Sequence, residues 1–353
     1  MARMRFGIIG AGGIARAHAA ALRALPETAE LVAVCDTLPE AAERLGRDFS
    51  VPAHGGQDAL QRLLARPDID AVSIATPSGL HHAQALAALE SGRHVLSEKP
   101  LAVTLEQADE MIVAQRRTGR ALGGIFQHRY DAAAAILREA ITSGRMGRIL
   151  HANAYLKWYR TQAYYDAGGW RGSWEMDGGG ALMNQSVHYV DLLQWLSGGV
   201  TAVKAYAETL HHRIATEDAA VAAIRLQGGG LGTIEGMTNA VANGYDRVEI
   251  YGTDGMGVIE GGTLTRYFTR AEAITPTPED PRPSQNLAGM ALERFAAAHP
   301  GWEGGHRAVF AGFVEAVGAG REPPVPAHEA RRAVEIVLAV YRSAREGGEV
   351  RIG

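Results

Sequence analysis

The chain has 353 residues, 46 % apolar and 21 % charged, a globular balance whose length predicts two domains. Its 35 basic and 39 acidic side chains leave a net charge of −4 with no block of five like charges, so we expect neither a nucleic-acid nor a membrane partner. A single cysteine, Cys35, excludes an intramolecular disulfide and multi-cysteine metal sites, and no apolar run approaches the ~18 residues of a membrane span.

The first residues, Met1-Ala-Arg-Met-Arg5 before Phe6-Gly-Ile-Ile-Gly10, have the outline of a signal peptide. Glycines up to Gly13 and then Arg16 break the apolar stretch, so it reads as mature fold and the expected location is cytoplasmic. Residues 5–9 predict a strand, and Gly10-Ala-Gly-Gly-Ile-Ala15 leads into an alanine-rich helix over 15–24. A strand over 31–35 ends at Asp36, and 39–46 predicts a helix. The rhythm continues with strand 71–75, helix 81–90, strand 94–96, helix 105–118 and strand 121–126. Such alternation predicts βαβ units and a parallel sheet, an α/β dinucleotide-binding domain over 1–126.

Beyond Phe126 the pattern changes to an α+β domain over 127–353. Helix 132–143 is closed by Gly144, and strand 149–158 runs into a loop holding Trp158, Tyr159, Tyr164, Tyr165, Trp170 and Trp174. The triplet Gly178-Gly-Gly180 precedes a helix over 181–196. Strands over 202–208, 218–227, 231–237, 247–251 and 257–260, divided by turns, predict an antiparallel sheet. The proline-rich 276–283 is a loop, and helices over 305–318 and 328–345 close the chain.

Forty-three glycines exceed the usual ~7 % of a globular chain and point to turns, positive φ or close approach to a ligand. The pattern Gly-x-Gly-x-x-Ala at Gly10, Gly12 and Ala15 sits between strand and helix. There the first glycine permits the turn, the second lets a pyrophosphate approach, and the helix N-terminus offers N–H groups to it. Asp36, ending the second strand, suits a ribose diol and repels a 2′-phosphate, which favours NAD over NADP. A helix N-cap is the alternative task for Asp36.

Ile8-Ile-Gly-Ala-Gly-Gly-Ile-Ala15 with His18, Ala75-Thr-Pro-Ser78 with His81, and Glu98-Lys-Pro100 together resemble the glucose–fructose oxidoreductase / inositol dehydrogenase (Gfo/Idh/MocA) family. Gly178-Gly-Gly-Ala-Leu-Met-Asn-Gln-Ser-Val-His188 with Asp191, and Gly320-Arg-Glu-Pro-Pro324 before the last helix, extend the resemblance over nearly the whole chain. It implies a Rossmann domain followed by a mixed domain with a large, mostly antiparallel open sheet, a homodimer or homotetramer, and nicotinamide-dependent oxidation of a sugar or cyclitol hydroxyl. It maps phosphate and ribose contacts to Gly10, Gly12, Gly13, Ile14, Asp36, Thr76, Ser78 and His81. The nicotinamide end maps to Glu98, Lys99 and Gln127, with Trp170 and Arg171 as further cofactor contacts.

Oxidation of a carbinol needs a base and a group that polarises oxygen. Lys99 follows a strand end, where open α/β sheets bind ligands, so its ammonium is the expected polarising group. On a helix, Asn184, His188 and Asp191 at i, i+4 and i+7 share one face. His188, which titrates near neutrality, is the expected acid/base. Many family dehydrogenases carry Asp-x-x-x-His where this chain has Asn184-Gln-Ser-Val-His188, and an amide orients hydroxyls but accepts no proton. Asp191 is expected at the substrate or beside His188, with a helix-stabilising or buried structural role as the equal alternative. Arg160, Tyr164 and Trp170 suit a carbohydrate, whose C–H faces stack on rings; core packing is the alternative. The histidines, including His211 and His212, show no metal-ligand spacing, so no metal is expected. A glycosidase using transient NAD oxidation and a non-catalytic nucleotide-binding regulator are the competing functions.

Overall fold

A computed structural model describes residues 3–242, 244–273 and 285–353; the proline-rich loop over 276–283 lies outside the described residues. The chain forms two compact units. The first comprises Met1–Gln127, Glu175–Gly178 and Gly305–Val334, the second His128–Trp174, Gly179–Gly304 and Glu335–Gly353. A single cut after residue 126 therefore misses two returns of the chain to the first unit.

In the first unit the elements run β1 (Met4–Ile9), α1 (Gly13–Arg23), β2 (Ala29–Asp36), α2 (Pro39–Phe49), β3 (Ala53–Gly55), α3 (Ala59–Leu64), β4 (Ala71–Ile74), α4 (His81–Glu90), β5 (His94–Ser97), α5 (Leu105–Thr118) and β6 (Leu122–Gly124). The short β3 and α3 escaped the sequence reading because three and six residues carry too little periodicity. The strands pair in the order β3-β2-β1-β4-β5-β6, all parallel. Strand order reverses between β1 and β4, which puts the ligand-binding switch point of this Rossmann sheet at their carboxyl ends.

The second unit continues with α6 (Ala132–Thr142), β7 (Ile149–Lys157), α7 (Gln162–Asp166) and a π-helical turn, Ala181–Ser186, running directly into α8 (Val187–Ser197). Then come β8 (Val200–Glu208), β9 (Ala219–Leu226), β10 (Leu231–Met237), β11 (Asp246–Gly252), β12 (Gly255–Glu260), β13 (Thr263–Thr269) and α9 (Ala288–Ala298). The chain ends with α10 (Gly305–Gly318), α11 (Ala327–Glu346) and β14 (Val350–Arg351). The large sheet has the order β13-β12-β11-β7-β10-β9-β8-β14. Its pairs are antiparallel except β7 with β10, which are parallel. That exception needs a long crossover, which the chain between β7 and β10 supplies.

Burial alternates along β9 and β10, as it must when one face of a sheet packs and the other does not. On the open face Tyr206 is 72 % exposed, Leu231 50 % and Val221 46 %. The return of α10 to the first unit has a simple cause. Phe310 and Phe313 bring their rings to 5.6 and 6.2 Å from Phe6 of β1, and all three are buried, each contributing about 2–3 kcal/mol of burial.

Candidate active site

The glycine turn of the first unit is built for a backbone-hugging anion. Gly10 lies at φ +94°, and a Cβ there would stand 2.7 Å from the Ala75 carbonyl oxygen. The next amide, Ala11 N–H, donates to Asp36 Oδ2 at 2.7 Å, and Leu38 N–H donates to Oδ1 at 2.8 Å. Asp36 is thus held at the lip of the turn and is not the residue that caps α2, whose N-cap is Leu38. Gly12 begins α1 with no side-chain cap, and Gly12, Gly13 and Ile14 are exposed. Among the described residues, apart from the chain neighbours and the helix's own backbone, nothing lies within 4 Å of a Cβ built at Gly12 or Gly13. The helix N-terminus is thereby left open, the arrangement that suits an anion. Further along, Gln127 Oε1 is buried without a hydrogen-bond partner, an acceptor waiting for a donor.

The loops after β4 and β5 carry the next group. Thr76 is half-buried and donates to Gln84 Oε1 (2.6 Å), and Ser78 is buried. His81 departs from its expected cofactor contact. Its buried ring faces two backbone carbonyls, Nδ1 at 2.8 Å from Pro100 O and Nε2 at 3.0 Å from Thr76 O. Burial lowers its pKa against the two carbonyls, which raise it, and the ring spans the gap between the two loops. Glu98 departs likewise. Its Oε2 accepts from Lys99 N–H (3.0 Å), and its Oε1 lies 3.1 Å from His18 Nε2 and 3.6 Å from His306 Nε2. Burial opposes its charge, yet the bonds from His18 and His306, with the charges of His18 and Lys99, hold the carboxyl well below the usual range.

The ligand-type atoms of His18, Glu98 and His306 lie within 4.8 Å of one another, a cluster that residues so far apart in sequence could not reveal. A carboxylate only accepts, so His18 Nε2 carries a proton, and its Nδ1 lies 2.9 Å from the Ser73 hydroxyl. Glu98 thus joins His18 to the backbone of Lys99, which is itself half-buried between buried Glu98 and Pro100.

In the second unit the helix with Asn184 and His188 starts as a π turn, a form concentrated at functional sites. The π turn holds Asn184, while His188 and Asp191 lie in the α-helix that follows. From Ala181 to Gln194 every residue is buried except His188, which is half-buried. Asp191 is fully buried and accepts two 2.7 Å bonds from Arg129, through Nε and NH2. Its carboxylate is committed to that pair, which corrects its expected substrate role. His128, hydrogen-bonded to Asp131 (2.8 Å), sets its ring edge-on to that of His188, centroids 5.1 Å apart.

The aromatic loop joins Asn184 through a residue that the sequence reading missed. Gln185 Oε1 accepts from Arg160 NH2 (2.8 Å), and its amide nitrogen donates to Tyr164 Oη (2.8 Å) and Asn184 Oδ1 (3.1 Å). The Arg160 guanidinium lies over the rings of Trp158 and Tyr164, at 4.8 and 5.2 Å. That of Arg171 lies over Tyr164 and Trp170, at 4.5 and 4.9 Å. Trp170 and Arg171 therefore gather with Arg160, Tyr164 and Asn184.

The parallel sheet, its glycine turn and the carboxylate behind it define a dinucleotide-binding oxidoreductase. Residues 4–125 match the oxidoreductase family with an NAD-binding Rossmann fold, and residues 134–258 match the GFO/IDH/MocA C-terminal domain. Over 314 residues the chain is 33 % identical to the 1,5-anhydro-D-fructose reductase of Ensifer adhaerens, spanning 84 % of this chain and 88 % of that protein. Over 336 residues it is 28 % identical to the levoglucosan dehydrogenase of Pseudarthrobacter phenanthrenivorans, spanning 86 % and 83 %. Among solved structures, the WlbA dehydrogenase from Bordetella pertussis in complex with NADH and UDP-GlcNAcA superposes with a TM-score of 0.86 at 34 % identity, covering 100 % of this chain and 98 % of that one. The chain belongs to the Gfo/Idh/MocA family and is an NAD-dependent dehydrogenase or reductase. Among the described residues no helix is long and apolar enough to cross a membrane.

Proposed function

We propose that this enzyme interconverts a secondary hydroxyl and a ketone on a sugar, sugar derivative or cyclitol, with His188 as general acid/base and Lys99 polarising the reacting oxygen. The observation that carries this reading is the exposure of His188 alone in an otherwise buried helix segment. The polar and aromatic cluster of Arg160, Tyr164, Trp170, Asn184 and Gln185 supports a polyhydroxylated substrate. The named relatives act on anhydrosugars, and one structural neighbour binds a nucleotide sugar acid.

The residues present fit the cofactor. Gly10, Gly12, Gly13 and Ile14 would take the pyrophosphate, Asp36 the adenosine ribose, Thr76 and Ser78 the adjoining stretch, and Lys99 and Gln127 the nicotinamide end. When bound, NAD supplies the hydride acceptor. In the oxidative direction His188 takes the hydroxyl proton, and in the reductive direction it returns one. The Lys99 ammonium stabilises negative charge growing on the oxygen. Asn184, an amide, orients hydroxyls and leaves proton transfer to His188. Arg160 and Tyr164 bond hydroxyls, and Trp170 covers a C–H face. We further place the enzyme in the cytoplasm as a homo-oligomer joined through the open face of its large sheet.

The test is NADH formation, followed by absorbance, over a panel of cyclitols, aldoses, anhydrosugars and sugar acids. At least one polyol should be oxidised. Lys99→Met and His188→Ala should each lower turnover by roughly 10²–10⁴-fold while NAD binding persists. Full turnover by either variant removes that residue from the mechanism.

A further inference from the structure

A helix N-terminus leaves four backbone N–H groups without partners of their own. At the start of the helix carrying Asn184 and His188, four consecutive donors are taken up by two side chains and one carbonyl. Gly180 N–H donates to Glu217 Oε2 (2.9 Å) and Leu182 N–H to Glu217 Oε1 (2.8 Å). Ala181 N–H donates to the Glu217 carbonyl oxygen (3.0 Å). Met183 N–H donates to Tyr341 Oη (3.2 Å), and that hydroxyl donates to Glu217 Oε1 (2.8 Å). Glu217 and Tyr341 are each 3 % exposed. The glycines preceding the helix make room for them: a Cβ at Gly180 would collide with the Glu217 carbonyl oxygen, and one at Gly179 with Tyr341 Oη.

The next residue fastens the other part of the cluster. Asp218 accepts from the backbone N–H groups of Leu210, His211 and His212 and pairs with His212 Nδ1 at 2.9 Å. His212 Nε2 in turn reaches the Arg160 carbonyl oxygen at 2.7 Å. Two adjacent acids at the start of β9 thus hold the helix of His188 and the segment of Arg160.

We propose that Glu217, with Tyr341, is the positioning residue of the proposed acid/base: by occupying every donor at the head of the π turn it sets that turn's register and the direction in which His188 is presented. A π turn stands only where its surroundings dictate it. Releasing its four donors favours relaxation towards the α-helical step, which rotates Asn184 relative to His188. The carboxylate form suits the site, because all three neighbours are donors and the O–H of a protonated carboxyl would have none of them as acceptor. Burial pushes the Glu217 carboxyl up to about 7 against the bonds from Leu182, Tyr341 and Gly180, and Tyr341 is the titratable group facing it. The inference rests on the reading of His188 as the base, and its test separates the two.

The variant is Glu217→Gln in the full-length enzyme, which removes the charge and turns an amide N–H₂ towards backbone donors. The His188 ring titration, followed by NMR on labelled histidine and assigned with His188→Asn, needs no substrate. Its midpoint should move by at least ~0.5 pH unit in Glu217→Gln, a scale that a change of local environment commonly produces. On a substrate from the panel above, kcat should fall at least ~10-fold with KM and NAD affinity within about twofold, the mark of a lost transition-state alignment. The acid limb of log kcat should flatten from a slope near ~2, where Glu217 and His188 must both be deprotonated, to near ~1. An unmoved His188 titration together with unchanged kcat overturns the proposal. If Glu217→Gln does not fold, Tyr341→Phe carries the test, with smaller effects in the same direction and the same overturning result. Full activity of His188→Ala sinks the reading of His188 as base, while the titration still decides the positioning.

Discussion

Glu98 and Lys99 are neighbours in sequence with divergent tasks. The glutamate turns inward, where His18 and the Lys99 amide bond its oxygens and His306 lies 3.6 Å away. The lysine is left half-buried at the end of β5. Asp36 stands at a similar strand end, tied by one oxygen to the glycine turn and by the other to Leu38 N–H. A carboxylate there disfavours a 2′-phosphate, so Asp36→Ser should raise the ratio of kcat/KM for NADP to that for NAD by at least ~10-fold, about 1.4 kcal/mol. Steady-state kinetics with both cofactors measure it, and an unchanged ratio removes Asp36 from ribose selection.

At the scale of elements, two buried charges hold parts of the fold in place. The Arg129–Asp191 pair joins the turn Gln127–Tyr130 to α8, with side chains 3 % and 1 % exposed. Removing one partner strands the other charge in the interior, so Asp191→Ala should cost about 3–5 kcal/mol in denaturant unfolding. A change below ~1 kcal/mol would show that the pair is not structural. Glu98 links the first unit to pH. Its folded carboxyl titrates below its ordinary value, so on acidification the unfolded chain takes up that proton first. The stabilisation is complete above the unfolded value of ~4.3 and is lost as pH falls through the folded value. Glu98→Gln should therefore flatten the fall of unfolding free energy below ~pH 4.5, and an unaltered acid limb contradicts the assignment.

At the scale of the molecule, the second unit leaves one face of an eight-stranded sheet open. The register aligns Tyr206 with Val221 and Val221 with Glu235 across β8, β9 and β10, a row combining exposed apolar side chains with a carboxylate. Exposed apolar patches of this kind mark association surfaces. Sedimentation should give a dimer or tetramer, and Tyr206→Glu with Val221→Glu should shift it towards monomer at micromolar concentration. A variant of unchanged mass places the interface elsewhere.

Much of this was legible in local sequence. Alternating apolar runs marked most long strands and helices, though not β13 or α9, with 81–90, 105–118, 231–237 and 305–318 coinciding with the observed elements. The glycine spacing at Gly10 and Gly12 marked the turn from β1 into α1, because turn geometry and helix N-termini are properties of neighbouring residues. Tertiary structure alone decided which polar side chains face one another. Asp191 meets Arg129 across 62 residues, and Tyr341 meets Glu217 across 124. His81 and Glu98 were read as ligand contacts, yet the surrounding fold consumes their hydrogen-bonding atoms. Gln185 and Glu217 gave no local signal. A buried polar group must find a partner, and whether that partner is ligand or protein depends on what the folded chain brings within ~3 Å of it.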